Sequence, residues 1–382
     1  MKLLNNILYS IGKIVGKNFP AENKSQLFFF FENYWVGGAE KVHADILETV
    51  SEEFKPWAIF KRNSNSKGFK YLFERHSLMI DITDYYNYLT RPILVGFWAG
   101  FINKHKNPTV FCSNTFFGYE VIEKLEDHVR FIDLIHNLKF CNPLKTFKIA
   151  HKFYARVVID HNTLNNLTEF YDQYKINPEA KNKIILISNK TYIPSYYEKP
   201  SKDILNILYI GRYQPELKRT NLLFEVAQKC QTENLPVKFK FVSDVDEKDI
   251  DPALLKNCEF PGMSKDTEKI NEIYKESDAL FLLSKSEGFP MVIMEGMAYG
   301  VVPVVTDVGG IPYRIKHMKN GLIINNNDND KILIEEAFNN LKLLLNDRNQ
   351  LKQLSQNAYN YAKENFNGDN FREKYRKILL DS

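Results

Sequence analysis

Two carboxylates with seven residues between them, Glu287 and Glu295, are the part of this chain best suited to chemistry. They stand in Ser284-Lys285-Ser286-Glu287-Gly288-Phe289-Pro290-Met291-Val292-Ile293-Met294-Glu295. An apolar stretch runs into a Glu-Gly-Phe-Pro turn, and a helix opens just beyond it. The turn through Gly288, Phe289 and Pro290 lifts the first helical residues, Met291 and Val292, above the end of a strand. A helix N-terminus carries unpaired N–H donors and partial positive charge, so it suits a phosphate. Glu295 lies a little over one turn into that helix. The two carboxylates can therefore meet one ligand at different heights.

A cationic segment answers the carboxylates. Gly211-Arg212-Tyr213-Gln214-Pro215-Glu216-Leu217-Lys218-Arg219 also follows an apolar run. A departing nucleoside diphosphate gathers negative charge, and preorganised cations lower that barrier. Arginine can grip two phosphate oxygens at once, whereas lysine acts as a point charge. Nearer the start, Gly37-Gly38 follows another apolar run, and paired glycines let a backbone approach a ligand closely. His136 closes a further strand candidate, in Phe131-Ile132-Asp133-Leu134-Ile135-His136-Asn137. Asp244-Val245-Asp246 and Asp249-Ile250-Asp251 match a metal-binding Asp-x-Asp pattern. Their acidic, loop-like setting and the nearby cations favour solvated loops, and no metal is expected.

The stretch from Asn271 to Ile323 resembles glycosyltransferase family 4, whose mark is this Glu-x7-Glu pair. The flanks match as well: Asp278-Ala279, Val302-Pro303-Val304-Val305 and Gly309-Gly310. Members also show Gly-Arg followed by a helix-opening Lys, and a Gly-Gly-Ala-Glu loop like Gly37-Gly38-Ala39-Glu40. The resemblance is fullest over residues 204–325, covers 27–50 and 129–190 less closely, and is thinnest over 51–128. It implies an α/β chain of GT-B architecture, two Rossmann-like domains with parallel sheets facing a cleft. It further implies transfer, with retention of anomeric configuration, from a nucleotide-diphosphate-sugar to a polysaccharide or lipid-linked glycan. Cell-surface glycan biosynthesis, as of capsule or lipopolysaccharide, is the expected setting. The nucleotide-sugar is a co-substrate, and no further cofactor is implied.

Carried over residue by residue, the resemblance places Glu287 at the donor sugar and Glu295 on the ribose hydroxyls. Arg212 and Lys218 hold the diphosphate. Arg219 stands where glycine is common, so either Lys218 or Arg219 makes that contact. Gly37 and Gly38 border the diphosphate, and His136 positions the reacting sugar while the leaving phosphate takes the acceptor proton. A Gly-x-Gly expected after the strand at Val237–Val242 is missing, so Gly262 and Met263, in the turn Pro261-Gly262-Met263, become candidates for the base. Alternatives on the same scaffold are a sugar-nucleotide epimerase, a sugar synthase or a non-catalytic sugar-nucleotide-binding protein. A nicotinamide-dependent oxidoreductase is disfavoured, since no Gly-x-Gly-x-x-Gly follows any strand candidate.

Such residues need strands to carry them. Continuous apolar runs at 27–31, 57–60, 109–112, 129–132, 157–159 and 184–187 read as strands buried on both faces. Helical spacing lies between them, as at Ala39–Val50, Tyr119–Leu125 and Leu164–Tyr171. Residues 189–203, with Pro194 and Pro200, lose periodicity and read as a linker. A second series follows, with strands at 204–210, 237–242, 279–283 and 302–305 and helices at 221–229, 267–275 and 291–299. Two domains are expected, 1–190 on the acceptor side and 191–368 on the donor side. Phe371, Tyr375, Ile378 and Leu379 share a helical face, and the resemblance implies that helix 369–382 crosses back to the first domain.

A chain of 382 residues, 44% hydrophobic and 26% charged, has the balance of a soluble two-domain protein. Cys112, Cys141, Cys230 and Cys258 form no CxxC pair, which argues against a zinc site or a disulfide framework and fits a cytoplasmic setting. Residues 1–190 carry 25 Lys/Arg and 19 Asp/Glu, a net +6, against −2 for the remainder. No dense basic patch with interleaved aromatics appears, so nucleic acid is not an expected partner. Leu3, Leu4, Ile7, Leu8, Ile11, Ile14 and Val15 recur at helical spacing near the start. That stripe has two outlets. It packs against the first domain or a partner subunit, or it lies on the inner face of the cytoplasmic membrane as a peripheral contact, with lysines on anionic headgroups. Gly12 and Gly16 weaken the helix in either case.

Overall fold

The structure, a computed structural model, describes residues 2–62, 68–136, 138, 146, 149–200, 203–246, 248, 250–264 and 266–381. Asn137, Cys141, Asp249 and part of the expected linker, residues 201–202, lie outside that set. The chain divides into two compact units, one of residues 1–188 with 369–382 and one of 189–368.

The first unit holds a seven-stranded sheet. Its strands are β1 (Leu27–Phe31), β2 (Trp57–Phe60), β3 (Leu78–Asp81), β4 (Thr109–Ser113), β5 (Arg130–Ile135), β6 (Phe153–Val158) and β7 (Ile184–Leu186). They run in the order β3-β2-β1-β4-β5-β6-β7, and every pairing is parallel. β1 reads Leu-Phe-Phe-Phe-Phe and is buried throughout, because helices cover both faces of a parallel sheet. Its side chains alternate between the two cores. Phe28 and Phe30 pack edge-on against Phe101 and Trp98, with ring centroids 5.8 and 5.9 Å apart. Phe29 meets Phe111 at 5.2 Å on the opposite face. Each buried phenylalanine contributes about 1.5–3 kcal/mol of transfer free energy.

The helices of this unit are α1 (Lys2–Asn18), α2 (Gly38–Ser51), α3 (Lys70–His76), α4 (Arg91–Asn103), α5 (Phe116–Ile122), α6 (His161–Gln173) and α7 (Pro178–Lys181). α1 packs on α4, but not through the apolar stripe. Gly12 and Gly16 face α4 and are buried, while most of the stripe is exposed. The two glycines do not break the helix; they let two backbones touch. A Cβ at either would strike the carbonyl of Ile93 or Phe97.

In the second unit the strands are β8 (Leu205–Ile210), β9 (Val237–Val242), β10 (Cys258–Glu259), β11 (Ala279–Leu282), β12 (Val302–Thr306) and β13 (Leu322–Ile324). They form a six-stranded parallel sheet in the order β10-β9-β8-β11-β12-β13. The helices are α8 (Pro215–Lys218), α9 (Thr220–Thr232), α10 (Thr267–Glu276), α11 (Met291–Ala298), α12 (Ile311–Arg314), α13 (Asp330–Asn346) and α14 (Arg348–Asn365). The segment after Ser188 is laid along this unit rather than left loose. Thr191 donates its N–H to Phe366, and the Tyr359 hydroxyl donates to the Pro194 carbonyl at 2.9 Å.

The last helix, α15 (Gly368–Leu380), packs on the first unit. Tyr375 meets Phe111 at 6.4 Å, Arg376 donates to the Thr49 carbonyl, and Arg130 donates to the Leu379 carbonyl. Both sheets reverse their strand order once, between β1 and β4 and between β8 and β11. In open α/β sheets, ligands bind beyond the carboxyl ends of the strands at such a reversal.

Candidate active site

In the second unit, both charged motifs sit at the β8/β11 reversal. The loop after β8 leads through Arg212 into α8, and the loop after β11 leads through Glu287 into α11. The backbone ties them together, since Lys285 donates its N–H to the Leu217 carbonyl at 2.8 Å. Their side chains meet as well, with Lys218 Nζ 2.5 Å from Glu287 Oε1. Glu287 keeps only 10% of its side-chain surface exposed and Lys218 22%, so the pair is half shielded from water. Arg212 is exposed.

Lys218 and Arg219 point in different directions. Arg219 is buried, with φ at +51°, in the left-handed region that favours glycine. Its guanidinium donates to the Leu283 carbonyl, to Asn326 Oδ1 at 2.8 Å and to the Asn327 carbonyl at 2.9 Å. Arg219 therefore ties loops together from beneath, and Lys218 is the cation turned to Glu287.

Around this pair the backbone is closely fitted. Gly309 has φ +57°, and a Cβ there would strike the Glu287 carbonyl, so only glycine fits. The next residue, Gly310, donates its N–H to the Gly288 carbonyl at 2.8 Å. Pro290 is the N-cap of α11. Met291 and Val292 pack partly against the core. Phe289 is buried, with its ring 5.6 Å from Phe366 and Arg314 stacked over it, so its side chain serves the core.

Glu295 lies in α11 and accepts a hydrogen bond from the Tyr274 hydroxyl at 2.8 Å. Burial, then the Glu295 charge, pushes the Tyr274 phenol well above its usual range, which keeps it a donor. Tyr209 does the same under the other motif. Its hydroxyl donates to the Arg212 carbonyl at 2.8 Å, and its pKa is raised by burial and then by Glu287 and Asp244.

The Asp-x-Asp segment makes local contacts. Asp244 accepts from the Tyr213 N–H at 2.6 Å, Asp246 pairs with Lys248, and Asp251 accepts from the Ala253 N–H. Gly262, just beyond β10, has φ +73° with open space where a Cβ would stand, and Met263 is half exposed.

The first unit furnishes its own reversal differently. Gly37 is the extended N-cap of α2, and a Cβ on it would meet the carboxylate of Glu40, which folds back over it from the third helical position. Gly38 opens the helix. Five residues on, His43 turns inward and stacks on Phe31 at 4.5 Å. Its Nε2 lies 2.9 Å from Ser113 Oγ, at the end of β4, and 3.1 Å from Nε2 of His136, just past β5. Two ring nitrogens at that distance share one proton, so the rings hold each other's tautomer. Burial pushes His136 down to about 4. His43 is driven well below its ordinary value, first by burial and then by His136. Both rings are neutral at pH 7.

Three residues before His136, Asp133 is fully buried. It accepts from Tyr119 at 2.8 Å and from Arg156 at 3.0 Å, while Arg156 also donates to Tyr171 and Thr146. This network anchors β5 under the histidine.

Sequence reasoning passed over His43, Ser113, Tyr209 and Tyr274. His43 alone left a signal, as a polar residue beside Val42 and among Ile46 and Leu47 on the buried face of α2.

Residues 176–361 match the family described as Glycosyl transferases group 1. Among curated relatives, the chain is 22% identical over 245 residues to an uncharacterized 41.2 kDa protein in the cps region of Klebsiella pneumoniae. That match covers 61% of this chain and 67% of the relative. It is 30% identical over 114 residues to the N-acetyl-alpha-D-glucosaminyl L-malate synthase of Bacillus anthracis, covering 30% of this chain and 29% of that one. The chain thus spans two thirds of the first relative's length and under a third of the second's. Among solved structures, HepE of Anabaena in complex with UDP and glucose superposes with a TM-score of 0.71 at 16% identity, over 93% of this chain and 99% of that one. The fold is therefore α/β of the GT-B kind. The family match, confined to residues 176–361, is to a group of glycosyltransferases.

Proposed function

We propose that this chain is a metal-independent, retaining glycosyltransferase that moves a sugar from a nucleotide-diphosphate donor to a glycan or lipid-linked acceptor in cell-surface glycan synthesis. The observation that carries this reading is the Lys218–Glu287 pair at the β8/β11 reversal. A cation and a carboxylate in contact there suit a diphosphate and the hydroxyls of its sugar. Arriving phosphate would draw Lys218 toward itself and release Glu287 to the sugar. Glu295, held by Tyr274, would accept from two ribose hydroxyls, and Arg212 would close on the diphosphate. The helix start at Met291 and Val292 and the turn at Gly262 and Met263 would border the nucleotide. Gly37, Gly38 and His136 are assigned to the phosphate edge and the reacting sugar. A neutral His136 would orient rather than deprotonate, leaving the departing phosphate to take the acceptor proton. The setting is the cytoplasm, at the inner face of the cytoplasmic membrane, and the UDP-bound neighbour and the cps-region relative support donor and pathway class.

The test is a melting-temperature screen against UDP-, GDP- and ADP-sugars, followed by acceptor-dependent release of nucleoside diphosphate. One donor should raise the melting temperature by mass action. Glu295→Ala should weaken donor binding, Glu287→Ala should mainly lower turnover, and activity should survive EDTA. Wild-type kinetics in both variants would refute the site. An epimerised sugar formed without acceptor would make the chain an epimerase, and loss with EDTA restored by Mn²⁺ would implicate the Asp-x-Asp segment.

A further inference from the structure

α1 is packed the wrong way round for a helix in water. An amphipathic helix on a soluble core turns its large apolar side chains inward. α1 instead turns in Gly12 and Gly16 and leaves Leu3, Leu4, Ile7, Ile11, Ile14 and Val15 between 48% and 76% exposed. At 100° per residue, those six fall in an arc of about 120°. The partner helix answers in kind. Cβ atoms at Gly96 and Gly100 of α4 would strike the carbonyls of Tyr9 and Lys13, as those at Gly12 and Gly16 would strike Ile93 and Phe97. The contacts rise together along both helices, so the two run parallel and touch backbone to backbone through a pair of Gly-x3-Gly segments. Helices associate in this way where the surroundings are as apolar as their side chains and close packing, not burial, holds them together.

Charge narrows what covers the open arc. Residues 2–18 hold Lys2, Lys13 and Lys17, and residues 91–106 hold Arg91, Lys104 and Lys106, with no acidic residue in either stretch. Arg91 is taken up by Glu120. At the same spacing Lys17 flanks the arc, and the positive charge of these two stretches complements anionic headgroups over acyl chains. A second copy of the same face would bring like charges together. Among the described residues, no helix is long and apolar enough to cross a membrane.

We propose that α1, already folded against α4, is the surface by which this chain docks flat on an anionic lipid bilayer. The proposal rests on the membrane-face setting given above, not on the transfer reaction, so binding and turnover are read separately. The full chain is sedimented with vesicles of phosphatidylglycerol and phosphatidylcholine, and with phosphatidylcholine alone, beside the variant Ile7→Gln/Ile11→Gln/Ile14→Gln. These side chains are exposed, so the variant should keep its melting temperature and its release of nucleoside diphosphate from soluble substrates. The expected result is binding that prefers the anionic vesicles, falls with salt, drops at least about tenfold in the variant and leaves helix content unchanged. Absent binding, equal binding by the variant, no preference for anionic lipid, or a dimer that the variant dissolves would each overturn it. Failed turnover with intact vesicle binding would sink the transferase reading alone.

Discussion

The two sheets reverse their strand order in the same way, yet their reversals carry opposite chemistry. Beyond β8 and β11 the residues are charged and partly open: Arg212, Lys218, Glu287 and Glu295. Beyond β1, β4 and β5 the groups turned inward are uncharged and largely enclosed, His43, Ser113 and His136, with the Glu40 carboxylate folded over Gly37 nearby. Charge is useful where a diphosphate must be held and its departure stabilised. A neutral, hydrogen-bonded ring is useful where a sugar must be oriented without an ion competing for it. The topology supplies a crevice, and the residues placed at it decide which task it serves.

The largest expected effect strikes the charged half. Lys218→Ala and Arg212→Ala should each lower turnover by about 10²-fold or more, as the loss of a preorganised donor does. Arg219→Ala should instead lower the melting temperature, because its guanidinium ties loops together. Steady-state rates beside thermal melts would check the contrast, and a normal rate in Lys218→Ala would dissolve it.

A smaller effect should come from Tyr274→Phe. It removes one hydrogen bond to Glu295 and leaves the carboxylate in place. The donor KM should rise up to about tenfold while kcat holds, in line with the net worth of one ordinary hydrogen bond. A fall in kcat with unchanged KM would mean that Glu295 serves the reaction rather than the ribose.

The smallest effect concerns the neutral half. His136 is held near 4 and His43 well below its usual value, so the unfolded chain binds more protons than the folded one as pH falls. Their contribution to stability is complete above about pH 6.5 and is lost as pH drops through that window toward 4. Urea unfolding of wild type and His43→Gln at several pH values should show a shallower acid loss in the variant. Parallel curves would mean that the pair is not protected from protonation.

Much of the fold was legible from local pattern. Apolar runs such as Leu27–Phe31 and Val302–Val305 can only be strands buried on both faces, and their alternation with helical spacing implies parallel sheets. The apolar run at 129–132 marks only part of its strand. β5 continues to Ile135 because Asp133, which breaks the apolar run, is neutralised by Arg156 twenty-three residues away. Tyr274 was invisible for a similar reason. It lies in another helix, and nothing in spacing announces that its hydroxyl reaches Glu295.

What the sequence determined by itself is which segments form helices and strands and which loops hold paired charges, because periodicity and turn chemistry are local. Tertiary structure decided which side chain faces which. Lys218 and Arg219 are neighbours of equal charge, and only the left-handed backbone at Arg219 sends its guanidinium inward. The apolar stripe and the two glycines of α1 were both plain to read. That the glycines would be buried and the stripe left open follows from Gly96 and Gly100 on α4. A helix face has no inside until its partner is known.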